Sequence, residues 1–222
     1  MIDAVIIVSG GMDSVTLLHY LIKSKQITPA VLTFVYNQKH DKEVVCAKDN
    51  VSILNCNNHF VLDISFLKSI FDNSSLISSH IDIPTINEVI GDPQPSTYVP
   101  NRNMIFLSLA AAYAENIGVK HIYYGAQKHD AYGYWDTTPH FLTQLNNVYV
   151  QNRKTPIQIK APFINYSKTE ILKLGISLGV DYAKTWSCYK GENDACGICP
   201  TCSERLNAFS DLGLKDPLVY KP

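Results

Sequence analysis

The apolar run Ala4-Val5-Ile6-Ile7-Val8 leads straight into Ser9-Gly10-Gly11-Met12-Asp13-Ser14, and this junction constrains the fold more than any other stretch. The run has the length and character of a buried strand. Two adjacent glycines lack Cβ atoms, so the backbone can turn sharply and bring its N–H groups close to a ligand. From Ser14 to Ser24 the spacing of Val15, Leu17, Leu18, Leu21 and Ile22 predicts a helix with one buried face. Asp13 or Ser14 is expected to cap it. A strand that hands a glycine turn to a helix N-terminus makes a phosphate site, because free amides and the positive end of the helix dipole meet there.

No Gly-Lys-Ser/Thr follows the glycines, and the Gly-x-Gly-x-x-Gly spacing of a dinucleotide fingerprint is absent. The string SGGMDS instead resembles the PP-loop of synthetases that cleave ATP between its α and β phosphates. That resemblance implies that Val8, Ser9, Gly10, Gly11, Met12, Asp13, Ser14, Val15, Thr16, Leu17 and Leu18 form the nucleotide-binding stretch.

Downstream, apolar strand-like runs alternate with helical ones. Ala30 to Tyr36 is rich in β-branched and aromatic residues, Asp41 to Asn55 reads as a helix, and His59 to Asp63 as a third strand. The periodicity fades from Ile64 to Pro100, where Pro84, Gly91, Pro93, Pro95 and Pro100 interrupt it; a loop of that length is usually functional or disordered. Met104 to Asn116 is a strong helix stopped near Gly118, His121 to Gly125 a strand, and Pro139 to Val150 a helix. Ser167-Lys168-Thr169-Glu170 is a capping box that opens a helix running to Leu178. The order predicts an α/β fold with a doubly wound parallel sheet, Rossmann-like and of the PP-loop (HUP-like) kind. Ligands in such sheets bind beyond the carboxyl ends of the strands, which gathers SGGMDS, YNQKH and GAQKHD on one rim.

Six cysteines stand in the chain, and four of them, Cys188, Cys196, Cys199 and Cys202, have the spacing C-x7-C-x2-C-x2-C. The paired short steps aim thiolates at one centre, as in a closed structural zinc site; an iron-sulfur cluster or redox thiols are the alternatives. Cys46 and Cys56 read as small buried hydrophobes. The expected division is residues 1–185 as the nucleotide-binding domain and 186–222 as a zinc-binding segment, with Thr201 to Ser210 a helix that packs back onto it.

A net charge of −1 gives no basic field for a free-standing nucleic-acid binder. No apolar run reaches the roughly 20 residues of a membrane span, and the start lacks the pattern of a signal peptide. A cytoplasmic location is expected, and the apolar stretches leave room for a homodimer.

Taken in order, SGGMDS, YNQKH, YVPNRNMIFLSLAAAYAENIG, the segment Gly125 to Asp130, APFINYSKTEILKLG and TWSCYKGENDACGICPTCSERLNAF resemble the QueC family of 7-cyano-7-deazaguanine synthases nearly end to end. The resemblance implies an enzyme with one zinc ion that uses ATP with Mg2+ to activate 7-carboxy-7-deazaguanine. Ammonia then gives the amide, and a second activation dehydrates it to the nitrile. Ser9, Gly10, Gly11 and Ser14 would hold phosphate, and Asp13 would cap the loop or help place Mg2+. Arg102 is suited to a carboxylate or phosphate, and Lys168 to charge developing on the phosphates. Tyr36 and His40 would line the adenine side, while Asn103, Asp130, Tyr134 and Asp136 would meet the deazaguanine.

One segment departs from the family pattern. Where SGYPDCR is typical, this chain has AYGYWDTTPHF, which keeps Gly133, Tyr134 and Asp136 but places Thr137 and Thr138 at the Cys-Arg pair. Relatives that stop at the amide, or pass the acyl group to another amine such as that of a protein, would keep the ATP half and change this loop. A tRNA sulfur transferase is a third reading.

Overall fold

A computed structural model describes residues 1–39, 42–128, 130, 133–190 and 193–221. Five parallel strands form one sheet: β1 (Ala4–Ile7), β2 (Pro29–Val35), β3 (His59–Asp63), β4 (His121–Tyr123) and β5 (Gln158–Lys160), in the order β3-β2-β1-β4-β5. Val5 pairs with Ala30 and Ile122, and Ile6 with Val31 and Tyr123. The period-2 alternation of strand side chains therefore gives the sheet two buried faces.

Helices α1 (Met12–His19), α2 (Lys42–Ile53), α6 (Lys168–Ser177) and α7 (Pro200–Asp211) pack on one face, where Ile6, Val8 and Val31 meet Leu17, Leu18, Ala47, Leu172 and Phe209. Helices α4 (Arg102–Asn116) and α5 (Pro139–Tyr149) pack on the other, where Val5, Leu32, Ile122 and Ile159 meet Leu107, Ala110, Ala111 and Leu145. The chain leaves β1 toward one face and β4 toward the other, so a crevice opens between them at the topological switch point. The predicted rim lies there.

Several element boundaries differ from the sequence reading. The helix after β1 starts at Met12 with Gly11 as its N-cap, and neither Asp13 nor Ser14 caps it. Ser14 Oγ is engaged by the loop instead, accepting from the N–H groups of Ser9 (3.2 Å) and Gly10 (3.3 Å). Beyond His19 the helix widens into a π-helical turn, Tyr20–Ser24. β5 has no counterpart in the sequence reading, since it has only three residues, two of them polar. The capping box at Ser167 and Glu170 is present, with Ser167 Oγ accepting from Glu170 N–H at 3.2 Å. The stretch from Ile64 to Pro100 is ordered by short elements, a 3₁₀ helix (Ser65–Ile70) and α3 (Ile86–Val89), and by burial of Phe71, Leu76, Ile77 and Val99. No helix among the described residues is long and apolar enough to cross a membrane.

The C-terminal segment is clamped to the domain by Arg205, which is 1% exposed. Its guanidinium donates to both Asp216 carboxylate oxygens (2.7 and 2.9 Å), to Thr185 Oγ1 (2.7 Å) and to the Tyr182 carbonyl (2.8 Å). The Tyr220 hydroxyl donates to Asp216 Oδ2 at 2.6 Å, so the buried charges are fully bonded. Arg205→Ala leaves Asp216 buried without its counter-charge and is expected to cost about 3–5 kcal/mol in urea unfolding. Replacing both partners together, as in R205M/D216L, should recover most of that loss.

Candidate active site

The crevice is a single cavity bounded by five parts of the chain. Ser9, Gly11, Met12, Asp13 and Ser14 form one wall; Phe34, Tyr36, Gln38 and Glu43 lie at the β2 end; Arg102, Asn103 and Phe106 come from the start of α4. The stretch after β4 contributes Tyr124, Gly125, Ala126, Asp130, Tyr134 and Thr137, and the C-terminal segment adds Trp186, Ser187, Tyr189 and Thr201.

The loop Ser9 to Ser14 is built by close approaches. Gly10 has φ +98°, and a Cβ there would lie 1.9 Å from the Glu43 carbonyl oxygen, so only glycine fits on both counts. Ser9 Oγ and Ser14 Oγ share a hydrogen bond of 3.1 Å, and Gly11 N–H donates to Ser9 Oγ at 3.2 Å. Gly125 passes so near the start of α1 that a Cβ would sit 3.3 Å from Ser14 N. On the other side, Trp186 N–H donates to the Gly10 carbonyl at 3.1 Å. The result is a rigid ring of polar groups at a helix N-terminus, suited to an anion.

Lys168 is neither solvated nor on the cavity wall. It is buried at the start of α6, with Nζ 2.5 Å from Asp13 Oδ2 and 3.7 Å from Glu204 Oε2. Burial opposes its charge, but Asp13, Glu204 and Asp130 outweigh burial and raise its pKa. Asp13 Oδ1 is buried and has no hydrogen-bond partner among the described residues. Val15, Thr16, Leu17 and Leu18 lie in the core beneath the loop, where Thr16 Oγ1 donates to the Met12 carbonyl at 2.8 Å. His40 is outside the described residues.

Arg102 opens α4 and donates from Nη1 to the Tyr36 hydroxyl at 3.3 Å. The buried Tyr36 thus supports a guanidinium at the cavity edge. Asp136 does not face the cavity: its carboxylate accepts from Asn103 N–H (3.1 Å) and Asn103 Nδ2 (3.2 Å) and so bonds an otherwise free amide of α4. Asp130 does face it, and its two oxygens accept from Gln127 N–H (3.1 Å) and Gln127 Nε2 (3.0 Å). Burial pushes the Asp130 carboxyl up to about 7; Asp13 and Glu204 add to the rise, and Lys168 opposes it. The Tyr134 hydroxyl shares a 2.7 Å hydrogen bond with Thr97 Oγ1.

Thr137 and Thr138 have structural roles of their own. Thr137 Oγ1 donates to the Tyr134 carbonyl at 2.6 Å, closing the turn, while Thr138 caps α5 by accepting from Phe141 N–H at 3.1 Å ahead of Pro139. Thr138→Ala is expected to lower stability by about 1 kcal/mol in chemical denaturation, with ligand affinity little changed.

Cys188, Cys196, Cys199 and Cys202 are buried, and their sulfurs all lie within 4.8 Å of one another, so they can hold a metal ion. Cys196 N–H points at Cys188 Sγ (3.3 Å) and Cys199 N–H at Cys196 Sγ (3.4 Å), contacts that favour thiolates. The cage touches the cavity wall through Thr201, whose hydroxyl donates to the Ser187 carbonyl at 2.6 Å. Cys46 and Cys56 are half-buried; Cys46 packs against the cluster that holds the cage, and Cys56 against the core beneath α1.

Sequence reasoning missed Phe34, Gln38, Glu43, Phe106, Tyr124, Trp186, Ser187, Tyr189 and Thr201. Trp186 and Tyr189 flank Cys188 in TWSCYKG, and Tyr124 directly precedes Gly125, so proximity to the singled-out motifs was the available signal.

The chain matches the family described as queuosine biosynthesis protein QueC over residues 3–213. It is 43% identical to the 7-cyano-7-deazaguanine synthase of Psychromonas ingrahamii, over 98% of this chain and 97% of that protein. The enzyme of the same name from Methanoregula boonei is also 43% identical, over 99% of each chain. Among solved structures, an NMN synthetase from Francisella tularensis shares the fold with a TM-score of 0.53 at 15% identity, covering 99% of this chain and 89% of that one.

Proposed function

The chain belongs to the QueC family, and from that premise we propose that it is an ATP-dependent 7-cyano-7-deazaguanine synthase of queuosine biosynthesis, acting on 7-carboxy-7-deazaguanine and ammonia. The observation that carries the reading is the single cavity, which sets the anion-binding loop Ser9–Ser14, the Arg102 guanidinium and the Asp130 carboxylate around one space.

A carboxylate resists ammonia until one of its oxygens becomes part of a leaving group. In the proposed sequence the substrate carboxylate attacks the α-phosphorus of ATP, the bond to the bridging oxygen breaks, and pyrophosphate departs. The N-terminus of α1, with the Ser9 and Ser14 hydroxyls that the loop amides orient, holds the phosphates through this step, and Arg102 holds the carboxylate. Asp13 Oδ1, with no hydrogen-bond partner among the described residues, would hold the magnesium that accompanies ATP, which would neutralise phosphate charge, while Lys168 fixes the other oxygen.

Ammonia then adds to the acyl carbon, gives up a proton, and AMP leaves to form the amide. A second adenylation, now on the amide oxygen, and loss of the remaining N–H protons expel AMP and give the nitrile. Every hydrogen that ammonia brings must leave as a proton, so the nitrogen needs a base beside it. Asp130 can serve as that base. It lines the cavity, is oriented by Gln127, and has a pKa of about 7, where a carboxylate can both take and release a proton.

The four-cysteine cage fits structural zinc. Tetrahedral ligation at about 2.3 Å sets sulfurs about 3.8 Å apart, compatible with the observed cluster, and four thiolates leave no open position for chemistry. One zinc ion per chain is the expected result of metal analysis. All four late cysteines lie in this cage, which speaks against their use as sulfur carriers, and the turn-closing role of Thr137 and the capping role of Thr138 account for those residues without a different acceptor.

Purified protein supplied with 7-carboxy-7-deazaguanine, ATP, Mg2+ and ammonia should yield first the amide and then the nitrile by mass spectrometry. Absence of both products would sink the proposal. At constant free ammonia, the rate of amide formation should rise with pH through about 7 and level off above it, as Asp130 loses its proton. In Asp130→Asn that rise should vanish while pyrophosphate exchange into ATP persists.

A further inference from the structure

Tyr124 is 5% exposed, and its hydroxyl has no hydrogen-bond partner among the described residues, although the residue lines the cavity. Burying a hydroxyl without a partner costs about 1–3 kcal/mol. Other tyrosines around the site are bonded: the Tyr36 hydroxyl accepts from Arg102 and the Tyr134 hydroxyl bonds Thr97. Tyr124 therefore stands out as a polar group at the cavity with no partner among the described residues.

The two ends of the cavity differ in chemistry. At the β2 end Phe34 and Phe106 are stacked with centroids 4.2 Å apart, and Tyr36 meets Phe106 edge-on at 5.4 Å. Such aromatic surface suits the face of an adenine. At the β4 end stand Tyr124, Asp130, Tyr134 and Thr137, which offer hydrogen-bonding atoms to the edge of a ring. The phosphate loop lies between the two ends. A deazaguanine ring, with donors and acceptors along its pyrimidine edge, fits the β4 end.

We propose that the Tyr124 hydroxyl donates a hydrogen bond to an acceptor on the deazaguanine ring, and so selects the carboxylate substrate without touching the nucleotide. The inference rests on the deazaguanine reading above. Burial, reinforced by Asp136 and Asp130, raises the phenol pKa, so the hydroxyl keeps its proton and acts as a donor. A site built to bond a ring atom loses affinity steeply when the partner is removed.

Tyr124→Phe removes one oxygen that has no partner among the described residues, so its melting temperature should equal or exceed that of wild type. Calorimetric binding of 7-carboxy-7-deazaguanine should weaken on the order of 10-fold, and the KM for that substrate should rise to match, with the KM for ATP unchanged. A lower melting temperature would assign the hydroxyl a structural role and overturn the inference. So would unchanged substrate affinity, or a rise confined to the KM for ATP. Failure of the wild-type protein itself to bind 7-carboxy-7-deazaguanine would instead remove the proposed function, and it is read before the variant is made.

Discussion

The backbone hydrogen bond from Trp186 N–H to the Gly10 carbonyl, 3.1 Å long, ties the two ends of the chain into one site. Gly10 is held in its left-handed conformation by the nearness of the Glu43 carbonyl, where no side chain would fit. Trp186 is placed by the segment behind it: Trp186 Nε1 donates to the Cys188 carbonyl at 2.9 Å, and Thr185 Oγ1 accepts from the buried Arg205 at 2.7 Å. The cysteine cage, the Arg205–Asp216 clamp and the phosphate loop are thus successive links of one rigid arrangement. The four-cysteine cluster lies behind the wall against which the loop is shaped, joined to it through Trp186.

Charge beneath the loop follows the same logic. An anion-binding site that carries its own carboxylate, Asp13, would repel phosphate if that charge were bare. Lys168 compensates it from α6, and Glu204 on α7 completes a buried group anchored by three helices. The polar groups beneath the loop are consequently held in place by one another. Burial raises the Asp130 carboxyl to about 7, while within this group Lys168 opposes the rise and Asp13 and Glu204 add to it.

Much of this was legible in the sequence because it is local. The strand, the glycine pair and the helix that follows are contiguous, so the tight turn at Ser9 to Ser14 could be read from them, and the spacing of the late cysteines encodes their clustering directly. Features that depend on distant partners were not legible. Ser14 looked like a helix cap, but the turn at Gly10 brings its hydroxyl back onto the loop amides. Lys168 reads from the sequence as a cation for the phosphates, whereas the packing of α6 on α1 sets it against Asp13. Asp136 read as a substrate ligand, while its place under α4 commits it to Asn103. The strand Gln158–Lys160 is too short and polar to announce itself, and Tyr124 differs from any core tyrosine only in what its hydroxyl fails to meet.

The claim that cage and phosphate loop form one site is tested most directly by calorimetric titration of ATP into the protein before and after zinc is withdrawn by a chelator, with circular dichroism recording the fold. ATP affinity is predicted to fall by at least about 10-fold as metal is lost and to return when zinc is restored, while the sheet persists. Metal-free protein that stays folded and binds ATP as tightly as the zinc form would contradict the account.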